Sequence, residues 1–147
     1  MNILITGANG FVGRNLVVHL TEQGQHTVVP FTREHSPLDL PTLLAEVDVV
    51  CHLAGVNRPA NPDDFVTGNI DLTQALCDAV VATGRRIPIV YSSSIQAEND
   101  NVYGNSKRGA EDALLRCAAQ HDIPVHLFRL PNVFGKWARP NYNSAVA

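Results

Sequence analysis

A run of closely spaced glycines directly behind the first apolar segment constrains this chain more than any other feature. Ile3-Leu4-Ile5 leads straight into Thr6-Gly7-Ala8-Asn9-Gly10-Phe11-Val12-Gly13. Each glycine has a reason in a strand-to-helix turn that meets a pyrophosphate. Gly7 permits the tight turn, Gly10 removes a side chain where backbone must approach the anion, and Gly13 lets the helix pack on the strand. The helix N-terminus adds unpaired N–H groups and a positive dipole end. A glycine trio alone is only a flexible turn. Its position between strand and helix points to a dinucleotide, with Gly7, Asn9, Gly10, Phe11, Val12 and Gly13 as the cofactor-facing residues.

The rest of the chain repeats the strand–helix pattern. The reading predicts a helix over Phe11 to Gln23 stopped by Gly24, and a second strand from Thr27. A short helix over Pro41 to Glu46 and a third strand over Val47 to Cys51 come next. A long helix over Asp63 to Thr83 carries Phe65, Asn69, Leu72, Leu76 and Ala79 at helical spacing. A fourth strand, Ile87 to Tyr91, a helix over Gly104 to Gln120 and a fifth strand, Val125 to Phe128, complete it. Near-continuous apolar strands joined by helices imply a parallel sheet covered on both faces. The expected fold class is α/β, a doubly wound Rossmann-type sheet of order 3-2-1-4-5, as one domain over residues 1–147. After Phe134 the stretch from Gly135 to Asn143 is polar, aromatic and loop-like.

Composition removes several classes. Hydrophobic residues make up 45% of the 147 and charged residues 17%, so the chain can form a core. A net charge of −3, without long basic runs, argues against a nucleic-acid surface. No apolar stretch approaches the ~18 residues of a membrane span, and the N-terminus lacks a signal peptide's basic flank and cleavage site. Cys51, Cys77 and Cys117 form no CxxC pattern, which suits reduced core thiols in a cytoplasmic protein.

Two further features bear on chemistry. An NAD-preferring site places an acid after the second strand. Here the strand ends in Phe31-Thr32-Arg33-Glu34, so Thr32 stands near the acid position and Arg33 follows. A guanidinium suits a 2′-phosphate, which favours NADP. A solvated Arg33, with Glu34 serving as the acid, is the NAD alternative. Farther on, Tyr103 and Lys107 stand four apart and share a helix face that continues through Ala110, Leu114 and Cys117. A lysine in that apolar stripe is explained blandly by a stem on apolar surface with its ammonium in water. The sharper reading is an ammonium that favours phenolate, so that Tyr103 exchanges a proton near neutral pH. Ser92-Ser93-Ser94 follows the fourth strand at the carboxyl end of the sheet, where a hydroxyl can support the same reacting oxygen. The bland reading is a polar turn or helix cap.

Taken together, TGANGFVG, His52-Leu53-Ala54-Gly55, the serine run, YGNSK and Arg129-Leu130-Pro131-Asn132-Val133-Phe134-Gly135 resemble the extended short-chain dehydrogenase/reductase family. The resemblance implies a catalytic set of Ser94, Tyr103 and Lys107, with Ser93 the alternative if the register is off by one. It also implies that Leu53, Ala54 and Gly55 pass beside the cofactor, that Asp39 and Leu40 face adenine, and that Pro131 and Val133 lie near the nicotinamide. Lys107 would hold the nicotinamide ribose, and Asn69 would be mainly structural. Within the family, HLAGVNRP and SSSIQAENDNVYGNSK resemble capsular-polysaccharide reductases acting on a UDP-2-acetamido-2,6-dideoxy-hexos-4-ulose. In those a metal-binding cupin domain follows, and nothing here matches it. The likeness thus implies an NADPH-dependent reductase of a nucleotide sugar, a homodimer in full-length form, and a chain whose C-terminal part is missing. A nucleotide-sugar epimerase is the alternative. A 4,6-dehydratase fits less well, because Ile95-Gln96 stand where that class carries an Asp-Glu pair. Arg58, Arg129 and Lys136 are open, each either a contact to sugar or diphosphate or a structural or surface residue.

Overall fold

The computed structural model describes residues 1–138. Arg139 and the rest of the predicted loop through Asn143 lie outside the described residues. Five strands are present: β1 Asn2–Thr6, β2 Thr27–Phe31, β3 Val49–His52, β4 Ile89–Ser94 and β5 Val125–Leu130. The helices are α1 Phe11–Gln23, α2 Leu40–Leu43, α3 Leu72–Ala82 and α4 Val102–His121. All neighbouring strands pair parallel.

The α/β class, the parallel sheet and the two-sided cover stand as expected. The strand order does not: it is β2-β1-β3-β4-β5 rather than 3-2-1-4-5. β3 crosses β1 instead of extending the sheet beyond β2. Burial explains this. Val50 and His52 are enclosed and Val49 packs beneath α1, as a central strand requires. β2 has exposed Thr27 and Pro30, and a proline belongs on an edge. Between β2 and β3 only a short turn and the four-residue α2 form, so nothing fills the outer place.

On one face α1 buries Leu16, Val17 and Leu20 against Ile3, Ile5 and Val28. On the other, α2, α3 and α4 bury Leu40, Leu44, Leu76, Val80, Ala110 and Leu114 against Leu4, Val50, Ile89 and Tyr91. α1 stops at Gly24, which takes φ 65° and returns its N–H to Thr21 O.

Two differences from the predicted elements shape the site. The helix expected from Asp63 is π-helical over Val66–Asp71 before α3 begins. Here Gly68 packs on Val56, where any Cβ would collide, and Asn69 turns inward. Such wide turns often mark functional regions. The three serines do not follow β4; they are its last residues, so the pleat sends them to alternate faces.

Candidate active site

Only glycine fits the turn after β1. Gly7 lies at φ +69°, and a Cβ there would stand 2.8 Å from Ala54 N and Cα. Its N–H donates to Phe31 O at 2.9 Å, tying the turn to the end of β2. A Cβ on Gly13 would run into the Gly7 carbonyl. Gly10 is different. Its φ −75° and ψ 175° suit any residue, and a Cβ would meet only Gly7 O, at 3.1 Å. The space over Gly10 is thus a cradle that a side chain would occupy, facing an α1 N-terminus with neither a side-chain cap nor an acid in its first turn. These residues fit the diphosphate of a dinucleotide.

A cleft of about 630 Å³ runs from this loop across the carboxyl ends of the strands. Gly7, Asn9 to Gly13, Arg33, Leu53, Gly55, Ser94, Tyr103, Lys107, Pro131 and Val133 line it. Arg33 borders the cleft and Glu34 does not. Thr32 is turned to His35, with its hydroxyl 3.2 Å from Nδ1, and the His35 ring stacks on Phe31. Among the described residues no carboxylate lines this cleft.

At the other end the pleat of β4 separates the serines. Ser93 borders the cleft as well, but it is buried and its hydroxyl proton is donated to Glu111. Ser94 Oγ accepts from Gln96 N at 3.2 Å, capping the turn Ile95–Glu98. That bond leaves the hydroxyl proton free to be donated, so the capping and functional readings are compatible. Asn101 caps α4 by accepting from Gly104 N at 2.8 Å, which sets Tyr103 in the first turn. The Tyr103 ring lies tilted against Phe65, 6.0 Å between centroids. One turn on, Lys107 is 5% exposed, with Nζ donating to Ser92 O at 2.8 Å and lying 4.4 Å from the Tyr91 ring centroid. The ammonium is held inside rather than reaching water. Burial lowers its pKa to about 8, with the Glu111 charge acting in the opposite direction.

Beneath the cleft runs a buried hydrogen-bond chain whose directions are fixed by counting donors. Thr73 Oγ1 donates to Asn69 O at 2.6 Å, so it must accept from His52 Nε2, 2.8 Å away. His52 Nδ1 is then the acceptor for Thr6 Oγ1, at 2.6 Å. Thr6 Oγ1 in turn accepts from Leu53 N and Ala54 N at 3.1 and 3.0 Å. The Asn69 side chain holds Val56 N and O at 2.7 and 3.0 Å and donates to Ser106 Oγ, which donates to Tyr103 O. The segment beside the cofactor cleft and the first turn of α4 are thus joined by side chains alone. Burial, then the Lys107 charge, drives the His52 pKa down to about 3, so the ring stays neutral.

The sequence reading named Asn69 but missed Thr6, His52, Thr73, Ser106 and Glu111 as parts of this arrangement. Nothing in a single threonine or serine distinguishes it; Glu111, four residues after Lys107, was the readable signal. The expected adenine-facing pair and the open position of Arg129 are placed as follows. Asp39 and Leu40 do not line the cleft: Leu40 is fully buried in the core and Asp39 accepts from Ser36 N at 2.7 Å. Arg129 is not turned to a ligand but bound to Glu111 and Glu98 at 2.7 and 2.9 Å. Lys136 lies over the Trp137 ring, and Arg58 borders the cleft beside Arg33.

A parallel sheet with a glycine loop at its first turn and Ser94, Tyr103 and Lys107 along one cleft at its carboxyl end defines a Rossmann-type α/β fold. The chain belongs to the NAD dependent epimerase/dehydratase family, whose model matches residues 3–147. It is 62% identical to the UDP-2-acetamido-2,6-beta-L-arabino-hexul-4-ose reductase of Pseudomonas aeruginosa strain PA103, over 100% of this chain and 40% of that protein. Among solved structures it is similar to the capsular polysaccharide assembling protein CapF of Staphylococcus aureus. There the TM-score is 0.84 and identity 42%, over 99% of this chain and 39% of that one. The UDP-N-acetylglucosamine 4-epimerase of Bacillus cereus gives a TM-score of 0.82 at 26% identity, over 97% of this chain and 57% of that one. The chain therefore spans about 40% of the length of its similar curated relative. No helix among the described residues is long and apolar enough to cross a membrane, and no group of three or more metal-ligating side chains occurs among them.

Proposed function

We propose that the chain is the cofactor-binding part of an NADPH-dependent reductase acting on the 4-keto group of a UDP-activated 2-acetamido-2,6-dideoxy sugar, in surface-polysaccharide precursor synthesis. The observation that carries this reading is the buried Lys107 one turn from Tyr103, in a cleft continuous with the glycine loop. The 62% identical relative supports the substrate class. Bound NADPH supplies the hydride. Gly7 to Gly13 hold the diphosphate, Arg33 meets the 2′-phosphate, and Pro131 and Val133 border the nicotinamide. Lys107 holds the nicotinamide ribose and favours the phenolate of Tyr103. Tyr103 gives its proton to the carbonyl oxygen, and Ser94 donates a hydrogen bond to that oxygen as charge develops.

The second reading is a nucleotide-sugar epimerase, in which the same residues serve oxidation and re-reduction; the Bacillus cereus 4-epimerase likeness favours it. The test mixes the complete enzyme, NADPH and candidate UDP-4-keto sugars, and follows nicotinamide absorbance. Steady consumption is expected. Product change without net consumption would instead establish an epimerase, and neither outcome would leave a non-catalytic NADP sensor.

A further inference from the structure

We propose that Glu111 is the positioning residue of the active site, the buried counter-charge that serves Lys107 and locks the ends of β4 and β5 together. The inference rests on the reading of Tyr103 and Lys107 given above.

The observations are geometric. Glu111 lies four residues after Lys107 on α4, the spacing at which side chains are neighbours. It is 3% exposed, so its charge requires partners. It has them on both oxygens. Oε1 accepts from Ser93 Oγ and from Arg129 Nε at 3.0 Å, and Oε2 accepts from Arg129 Nη2 at 2.7 Å. Ser93 is the residue before Ser94, and Arg129 lies two residues before Pro131. One carboxylate thereby fixes three places: the strand end carrying the hydroxyl, the strand end leading to the nicotinamide segment, and the helix carrying Tyr103 and Lys107.

The electrostatics agree. The groups facing Lys107 are Tyr91 and the Ser92 carbonyl on β4, neutral His52 on β3, and Tyr103 and Glu111 on α4. Only Glu111 among them is anionic at neutral pH. Arg129 on β5 competes for the same carboxylate. Burial alone would drive Lys107 toward the neutral form, which neither polarises a phenol nor holds a ribose by charge-assisted bonds. Glu111 opposes that.

The chain offers a direct readout, because its only lysines are Lys107 and exposed Lys136. Lysine labelled with ¹³C at Cε gives two resonances, and Lys136→Arg assigns them. In Glu111→Gln the Lys107 midpoint should move to lower pH by about one unit. In Arg129→Gln, which removes the competitor from a half-exposed position and leaves the carboxylate in place, it should move upward. Unmoved midpoints in folded variants would overturn the proposal and leave the Tyr103–Lys107 reading standing. If Glu111→Gln does not fold, an unmoved or lowered midpoint in Arg129→Gln overturns it equally. The pH profile of turnover in the complete enzyme separates the two ideas. An alkaline limb that shifts with the Lys107 midpoint supports both. A midpoint that shifts while the limb stays supports the counter-charge and removes Lys107 from the reaction.

Discussion

The glycine loop and the Tyr103–Lys107 end sit on the same edge of one sheet, yet one is made of backbone and the other of buried side-chain charge. At the loop, Gly7 and Gly13 are fixed by steric contact with Ala54 and Gly7 itself, and Gly10 is fixed by what must approach it. Nothing there titrates. At the other end, Lys107, Glu111, Ser93, Tyr91 and His52 are all buried polar groups held by one another. The first region should fail by collision and be indifferent to pH. The second should keep its shape under conservative change and fail chemically.

The largest expected effect belongs to the second region. Tyr103→Phe keeps the ring against Phe65 and removes the proposed proton donor. Turnover should fall by ~10²–10⁴, with NADPH affinity nearly unchanged. A variant retaining more than about a tenth of the rate, with chemistry limiting, would take Tyr103 out of the proton transfer.

Gly13→Ala tests the first region. Its Cβ would meet the Gly7 carbonyl and Ala8 Cα, both backbone and neither able to rotate away. A loss of about 3 kcal/mol in stability is expected, read as a lowered denaturation midpoint at any pH from 6 to 9. Gly10→Ala should leave stability within about 1 kcal/mol and weaken the cofactor instead. Equal damage from both would show that the loop's glycines do not divide into packing and binding roles.

These contrasts also explain what could be read from the chain beforehand. A motif made of glycines is local, so the loop, α1 and its Gly24 stop were legible from spacing. Tyr103 and Lys107 were legible for the same reason, being one helical turn apart. Strand order was not, because it depends on whether the stretch between β2 and β3 supplies an outer strand, and that stretch folds into turns. The serine register is not legible because a polar triplet gives no apolar signal that β4 continues to Ser94, and only that extension sets the pleat that turns Ser93 toward Glu111. The links from Thr6 to His52, from His52 to Thr73 and from Asn69 to Ser106 were not legible because they join residues 46, 21 and 37 apart in sequence.

A smaller effect is expected at the cofactor's far end. Arg33→Ala should weaken NADPH by on the order of 1.5–3 kcal/mol and leave NADH almost unaffected. Titration of both cofactors checks it. Equal losses would place the 2′-phosphate elsewhere, with Arg58, on the same side of the cleft, the next residue to change.

The smallest effect near neutral pH concerns His52, and it separates the two regions most cleanly because only one of them titrates. In the folded chain both ring nitrogens are engaged and burial keeps the ring neutral to about pH 3. In the unfolded chain the same ring takes a proton near its ordinary value of 6.5. The sign follows from proton counting. Between about 6.5 and about 3 the unfolded state binds more protons, so stability is lost as pH falls through that window and is unaffected above it. His52→Asn removes the titration. It also costs stability at every pH, through the lost bonds to Thr6 and Thr73. The gap between wild type and variant should therefore be constant above pH 7 and narrow by about 1 kcal/mol on going to pH 5.5. Denaturant titrations of both proteins across that range measure the gap directly, and the contributions of all other groups cancel in the difference. A gap that stays constant to pH 5.5 would mean that the folded ring accepts a proton. His52 Nδ1 could then no longer accept from Thr6 Oγ1, and the direction assigned to the Thr6–His52 bond would be wrong, while the bond from Nε2 to Thr73 would stand.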